Sequence, residues 1–185
     1  MSVENVFGEV QRALNSVGIP YMVTGSFASS AFGDPRASKD IDIVIAPTRE
    51  QLIELIRQFP SERYHAVEQE ALEAFAHTSM FNIIDYRSGW RVDFILKKAR
   101  PFSDEEFSRR TEIELAGLRL SVSTAEDILI SKLEWAKLGE SQRQLEDAAG
   151  ILRVQGPSLN RAYVEHWVRE LGLAEQWAAA KARAG

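Results

Sequence analysis

Every second residue is apolar in Lys39-Asp40-Ile41-Asp42-Ile43-Val44-Ile45-Ala46. Successive side chains of a strand point to opposite faces, so Asp40 and Asp42 share one face while Ile41, Ile43 and Ile45 point into a core. Two carboxylates so placed repel each other and gain nothing from burial. A strand tolerates them most readily with a cation between them. Elsewhere the period changes. Val3, Val6, Val10, Leu14 and Val17 recur at helical spacing, opened by Ser2 and ended by Gly18. Pro20 then starts the strand YMVT, followed by a tight Gly25-Ser26 turn, a short helical FASSAF and the breaker Gly33-Asp34-Pro35.

Thr48 with Gln51 predicts a capping box for TREQLIELIRQF, closed before Pro60. A further helix is expected over about 67–76. MFNIIDY and WRVDFIL read as two strands joined by Arg87-Ser88-Gly89. Ser103 with Glu106 predicts a capped short helix, and EIELAGLRLSVS two short strands around Ala116-Gly117. From Thr124 onward only helical spacing appears. One helix runs from Thr124 to about Leu138, a second over 140–154, and a pair after Pro157 carries Trp167, Leu171 and Trp177. The expected organisation is an α/β layer over 1–122 with a helical bundle, 123–185, packed on it.

Composition narrows the chemistry. The 185 residues are 45% hydrophobic and 26% charged, which suits one compact unit or one domain with a helical appendage. A net charge of −5 argues against a uniformly basic surface for long nucleic acid, although Lys97, Lys98, Arg100, Arg109 and Arg110 predict a local basic patch. With no cysteine, disulfides, thiolate-bound zinc and a thiol nucleophile are excluded. His65, His77 and His166 are too scattered to predict a histidine metal cluster. No leader-like or bilayer-length apolar segment is seen, so a cytosolic protein is expected.

Three features carry candidate chemistry. A glycine after a strand lets backbone approach a ligand, and the free N–H groups of the next helix suit phosphate oxygens; Gly25-Ser26 offers both, or is simply a tight connection. Magnesium takes hard oxygen ligands, and Asp40 with Asp42 supplies two; the alternative is a pair of solvated acids. Asp93 lies in the apolar strand RVDFIL, sharing a face with Arg91 and Ile95. A carboxylate there is costly unless it is paired, with Arg91 or Arg36, or bound to a metal. If that strand lies beside the Asp40 strand, three carboxylates converge, enough for two metals that clamp an in-line phosphoryl displacement.

Strand, Gly25-Ser26, short helix, Asp40-Ile41-Asp42 and a later strand with Asp93 together resemble the DNA polymerase beta-type nucleotidyltransferase superfamily. TGSFASSAFGDPRASKDIDIVI is especially similar to small bacterial members, the toxin-type (AbiEii-like) and antibiotic-modifying branches, although the turn is Gly-Ser where many have Gly-Gly. LSVSTAEDILISKLEWAKLGESQRQLEDAAGIL is similar, more loosely, to the helical region of the toxin-type branch.

The resemblance implies an α+β fold: a mixed sheet with flanking helices and a C-terminal helical bundle. It implies transfer of a nucleoside monophosphate from a nucleoside triphosphate such as ATP to a hydroxyl. The acceptor would be a tRNA end, a protein side chain or a small molecule such as an aminoglycoside, and the toxin-type branch would add a cognate antitoxin as partner. Gly25 and Ser26 would hold the triphosphate. Asp40 and Asp42 would hold two magnesium ions (manganese as substitute), and Asp93 the catalytic ion and the acceptor hydroxyl. Lys132 matches the branch's lysine and would reach phosphate oxygens, or else snorkel to water along its apolar stem. Arg36 would meet phosphate or pair with Asp34. Arg143 and Asp147 are spaced for an i,i+4 ion pair. Trp135, Trp167 and Trp177 are expected in helix packing. Two rival readings use the same residues: a nucleotide-binding module without transfer activity, and a metal-dependent phosphohydrolase.

Overall fold

A computed structural model describes residues 3–33, 39–115 and 117–185. Arg36, Asp34, Pro35 and Ser2, named above, lie outside the described residues, as does Ala116. The chain opens with α1 (Val3–Ser16), β1 (Tyr21–Thr24), α2 (Gly25–Phe32), β2 (Asp40–Ile45) and α3 (Arg49–Arg57). It continues with β3 (Tyr64–His65), α4 (Glu68–His77), β4 (Met80–Asp85), β5 (Arg91–Leu96) and α5 (Pro101–Arg109). The strands β6 (Thr111–Leu115) and β7 (Leu118–Val122) precede α6 (Ala125–Gly139), α7 (Gln142–Gln155), α8 (Arg161–Glu170) and α9 (Ala174–Ala184).

The strands form one mixed sheet in the order β3-β4-β5-β2-β1-β7-β6. β2 pairs antiparallel with β1 and parallel with β5, so the two aspartate-bearing strands are neighbours. Alternation is kept: Ile41, Ile43 and Ile45 are wholly buried while Asp40, Asp42 and Val44 are half-buried. The buried positions join one hydrophobic cluster that runs from Val6 of α1 to Ala180 of α9. The fold is therefore the expected α+β arrangement, a mixed sheet flanked by helices with a run of helices at the C-terminal end.

Several local readings hold. Thr48 and Gln51 form the reciprocal capping box of α3, and Gln51 Nε2 also donates to the Val17 and Gly18 carbonyls that end α1. Thr124 caps α6 through the Asp127 amide. Two differ. Ser103 and Glu106 do not cap α5; they are buried within it, and Pro101 occupies the first turn. Proline's fixed φ and missing N–H suit that position, so it sets the start of the helix three residues earlier than a Ser103 cap would. The two-residue β3 carries too little pattern to be read from sequence.

Candidate active site

The strand registers place one polar row across the sheet. Thr24 lies opposite Asp42, Asp42 opposite Asp93, and Asp93 opposite Asn82, so four neighbouring strands present these side chains on one face. Asp40 lies opposite Arg91 on the same face. Thr24, Asp40, Asp42, Arg91 and Asp93 of this face form the floor of an open cleft of about 480 Å³ whose far wall is built from α5, α6 and the start of α7. Gly25, Ser26, Asp40, Asp42, Asp93 and Lys132 all line it.

Gly25 has φ +66, and a Cβ there would stand 1.9 Å from Asp42 Oδ2. Only glycine lets α2 begin this close to the carboxylate. The Ser26 amide donates to Asp42 Oδ2 at 3.4 Å, so the N-terminus of α2 faces the Asp42 carboxylate. Burial raises the pKa of Asp42, against the pull of Lys132 and the Ser26 amide.

Asp93 is 3% exposed. Its Oδ2 accepts from Arg91 Nη2 at 2.8 Å, while its Oδ1 is buried with no hydrogen-bond partner. Burial raises its pKa, Arg91 lowers it and Asp42 adds repulsion. Arg91 Nε also stands 3.4 Å from Asp40 Oδ1. The Arg91 salt bridge weighed as an alternative for Asp93 is therefore present, and no group among the described residues satisfies the oxygen beside it. Among the described residues no three acidic or histidine side chains close on one point as a metal's ligands do. With Arg91 bonded to both Asp40 and Asp93, the three carboxylates share a face without sharing a centre. Their chemistry still fits a hard divalent cation: anionic oxygens on adjacent strands, one of them buried and unsatisfied.

Lys132 does not snorkel. It is 4% exposed, lines the cleft and donates to Asp147 Oδ2 on α7 at 2.8 Å. Arg143 is exposed at the cleft's rim.

The expected basic patch is largely consumed within the chain. Lys97 pairs with Asp104, Arg100 makes a bidentate pair with Glu134, and Arg109 binds Asp127 at 3.1 Å. Arg110 donates to the Phe107 carbonyl. Charges so paired offer little to a phosphate backbone.

Two cleft residues went unnoticed as site residues in the sequence. Glu106, 7% exposed, accepts from the Ser123 and Ser131 hydroxyls at 3.3 and 3.2 Å. Burial, reinforced by Asp127, pushes its pKa up to about 7. Its helical spacing resembles any surface glutamate, so no local signal marks it. Trp135, expected in helix packing, is instead 48% exposed and lines the cleft. Trp167 is buried and Trp177 is packed against the core, as expected.

No protein-family model matches the sequence, and no curated protein does. Solved structures do resemble the fold. A complex of ANT(2'')-Ia with adenylyl-2''-tobramycin superposes with TM-score 0.59 at 15% identity, covering 90% of this chain and 95% of that one. The antibiotic-resistance factor ANT(2'')-Ia in solution gives 0.54 at 13% identity, covering 96% and 94%. An antigenic nucleotidyltransferase-like protein from Paracoccidioides brasiliensis gives 0.56 at 20% identity, covering 93% and 88%. At these identities the likeness concerns architecture. The structural neighbours of this chain are nucleotidyltransferases, and its fold is the nucleotidyltransferase fold.

Proposed function

We propose that the chain is a magnesium-dependent nucleotidyltransferase that moves a nucleoside monophosphate from a nucleoside triphosphate to an acceptor hydroxyl. The observation that carries this reading is the Asp42–Asp93 register on adjacent parallel strands, beside Asp40 and below the glycine-led start of α2. Asp40, Asp42 and Asp93 would hold the metal, with manganese a substitute. A bound divalent ion there would neutralise phosphate charge and make the acceptor hydroxyl more acidic.

The chain's own residues supply the rest. Gly25 keeps the backbone clear for phosphate oxygens, and the Ser26 amide and hydroxyl donate to them. Lys132, drawn from Asp147, balances charge on the leaving pyrophosphate. The acceptor oxygen bonds to the α-phosphorus as the bond from that phosphorus to the α,β-bridging oxygen breaks. The hydroxyl proton passes to Asp93 at the cleft's floor, helped by the greater acidity that a bound cation would give the hydroxyl. Residues 1–122 would carry the carboxylates and the glycine-led turn, and 123–185 would wall the cleft and supply Lys132. Because the Lys97 to Arg110 cations are mostly paired internally, a compact acceptor such as an aminoglycoside-like small molecule fits better than a long RNA. A tRNA end or protein side chain, with a cognate antitoxin as partner, is the toxin-type outcome.

The test follows α- and γ-labelled triphosphates of all four bases with magnesium and tRNA, protein or aminoglycoside acceptors, beside Asp42→Ala. Label from the α-position on an acceptor, with pyrophosphate released and both lost in the variant, supports transfer. Phosphate release alone supports a phosphohydrolase. One observation favours a nucleotide-binding module without turnover: Arg91 bridges Asp40 and Asp93, where a metal would otherwise balance charge. That reading predicts magnesium-independent triphosphate binding and no product.

A further inference from the structure

One end of the cleft is left unused by the transfer chemistry. Among the large apolar side chains exposed on the described surface, Met80 and Trp135 line the cleft, at 45% and 48% exposure. A scattered exposed apolar residue on an outer surface needs no explanation. An indole in the wall of a cavity, beside a cluster of charges, does.

Trp135 lies three residues beyond Lys132 on α6, about 4.5 Å along the helix axis. The two-residue turn at 140–141 sends α7 back antiparallel to α6. The Lys132–Asp147 bond fixes the pairing of these helices. Stepping three residues towards the turn on each brings Trp135 level with Gln144. Gln144 also lines the cleft, and its Oε1 is buried without a hydrogen-bond partner. Buried acceptors are seldom left unsatisfied, so this one awaits a donor that the described chain does not supply.

We propose that Trp135 and Gln144 form the nucleobase subsite of the cleft. The base stacks on the Trp135 indole, and a small rotation of the Gln144 amide lets Oε1 accept from the base's exocyclic amino group. The proposal rests on the transferase reading and deepens it. An aromatic face stacks any base, while an amide offers an acceptor beside a donor, the complement of adenine's amino group and adjacent ring nitrogen. Cytosine carries the same pair of groups, but the larger purine covers more of the indole, so adenine is the base this subsite favours. The cavity is of a size that takes a whole nucleotide.

The test is a set of magnesium-containing titrations of the full chain with ATP, with ITP (oxygen replacing the exocyclic amine) and with inorganic tripolyphosphate. Binding is read by calorimetry and by tryptophan fluorescence. ATP should quench the fluorescence and tripolyphosphate should bind without quenching. Trp135→Leu should lose the quench and bind ATP about tenfold more weakly, with tripolyphosphate affinity unchanged. The wild type should prefer ATP to ITP by about fivefold, and Gln144→Met should abolish that preference. If tripolyphosphate binds but Trp135→Leu binds ATP as the wild type does, the subsite is overturned while the transferase reading stands. An ATP preference that survives in Gln144→Met overturns the edge contact. If neither ATP nor tripolyphosphate binds the wild type, the transferase reading falls and takes the subsite with it.

Discussion

Asp93 and Asp127 are both aspartates withdrawn from water, yet the chain treats them differently. Asp127, at the start of α6, is fully buried and finished by the protein. Its oxygens accept from Tyr163 Oη at 2.5 Å, Thr124 Oγ1 at 2.6 Å and Arg109 Nε at 3.1 Å. Asp85, at the end of β4, is treated alike by Arg63, Ser88 and the Arg87 amide. Burial pushes its pKa up, but those donors outweigh burial and leave it lowered. Asp93 has Arg91 on one oxygen and, among the described residues, no partner on the other, and its pKa is raised. A buried carboxylate with all its donors is a structural joint. One left with an open oxygen, at the floor of a cleft, has room for a charge that the described residues do not provide.

The contrast is broken most forcefully by exchanging roles. Asp93→Asn or Asp42→Asn should lower nucleotidyl transfer by about a thousandfold or more, roughly 4 kcal/mol of transition-state stabilisation, measured as kcat/KM. Stability in urea should stay level or rise by about 1 kcal/mol, because each substitution removes a charge that burial disfavours. Asp127→Ala should do the reverse to the fold. It strands Arg109, Thr124 and Tyr163 and should cost about 3–5 kcal/mol in urea unfolding.

Glu106 stands between the two classes. It has two hydroxyl donors but a pKa of about 7, above its ordinary 4.5. The folded state therefore binds more protons than the unfolded state between those values, and stability falls as pH rises through that window. Glu106→Gln should stabilise the chain by up to about 3 kcal/mol at pH 8 and leave it unchanged near pH 4, by urea unfolding at both pH values. Gly25→Ala is a smaller perturbation of the fold. The φ of +66 alone predicts a loss of about 1–2 kcal/mol in the same measurement, and displacing Asp42 from the new Cβ adds to it.

The cleft's floor was legible because β-structure has a period of two. Alternation alone puts Asp40 and Asp42 on one face of their strand, and Asp93 with Arg91 and Ile95 on one face of its own. Their adjacency did not follow. It depends on β2 pairing with β5 across about fifty residues of sequence, which no local pattern encodes. The far wall was harder still. Glu106 and Trp135 sit on helices whose partners decide which face is buried; the Ser103–Glu106 spacing points one to a cap, and helical spacing points the other to packing. The basic run from Lys97 to Arg110 looked like a nucleic-acid patch because its acidic partners, Asp104, Glu126, Asp127 and Glu134, are set by tertiary contact. Arg36 remains a sequence-level candidate, outside the described residues.

The measurement closest to the central claim is the melting temperature of the wild type, Asp93→Asn and Asp127→Asn, each with a non-hydrolysable nucleoside triphosphate in magnesium and again in EDTA. A ligand that binds only the native state raises Tm by mass action. If the open oxygen of Asp93 serves a bound cation, the wild type should gain several degrees in magnesium over EDTA. Asp127→Asn should start lower and keep the gain, and Asp93→Asn should lose it. Equal gains in all three proteins, or none in the wild type, would contradict the claim that the cleft carboxylates hold the metal.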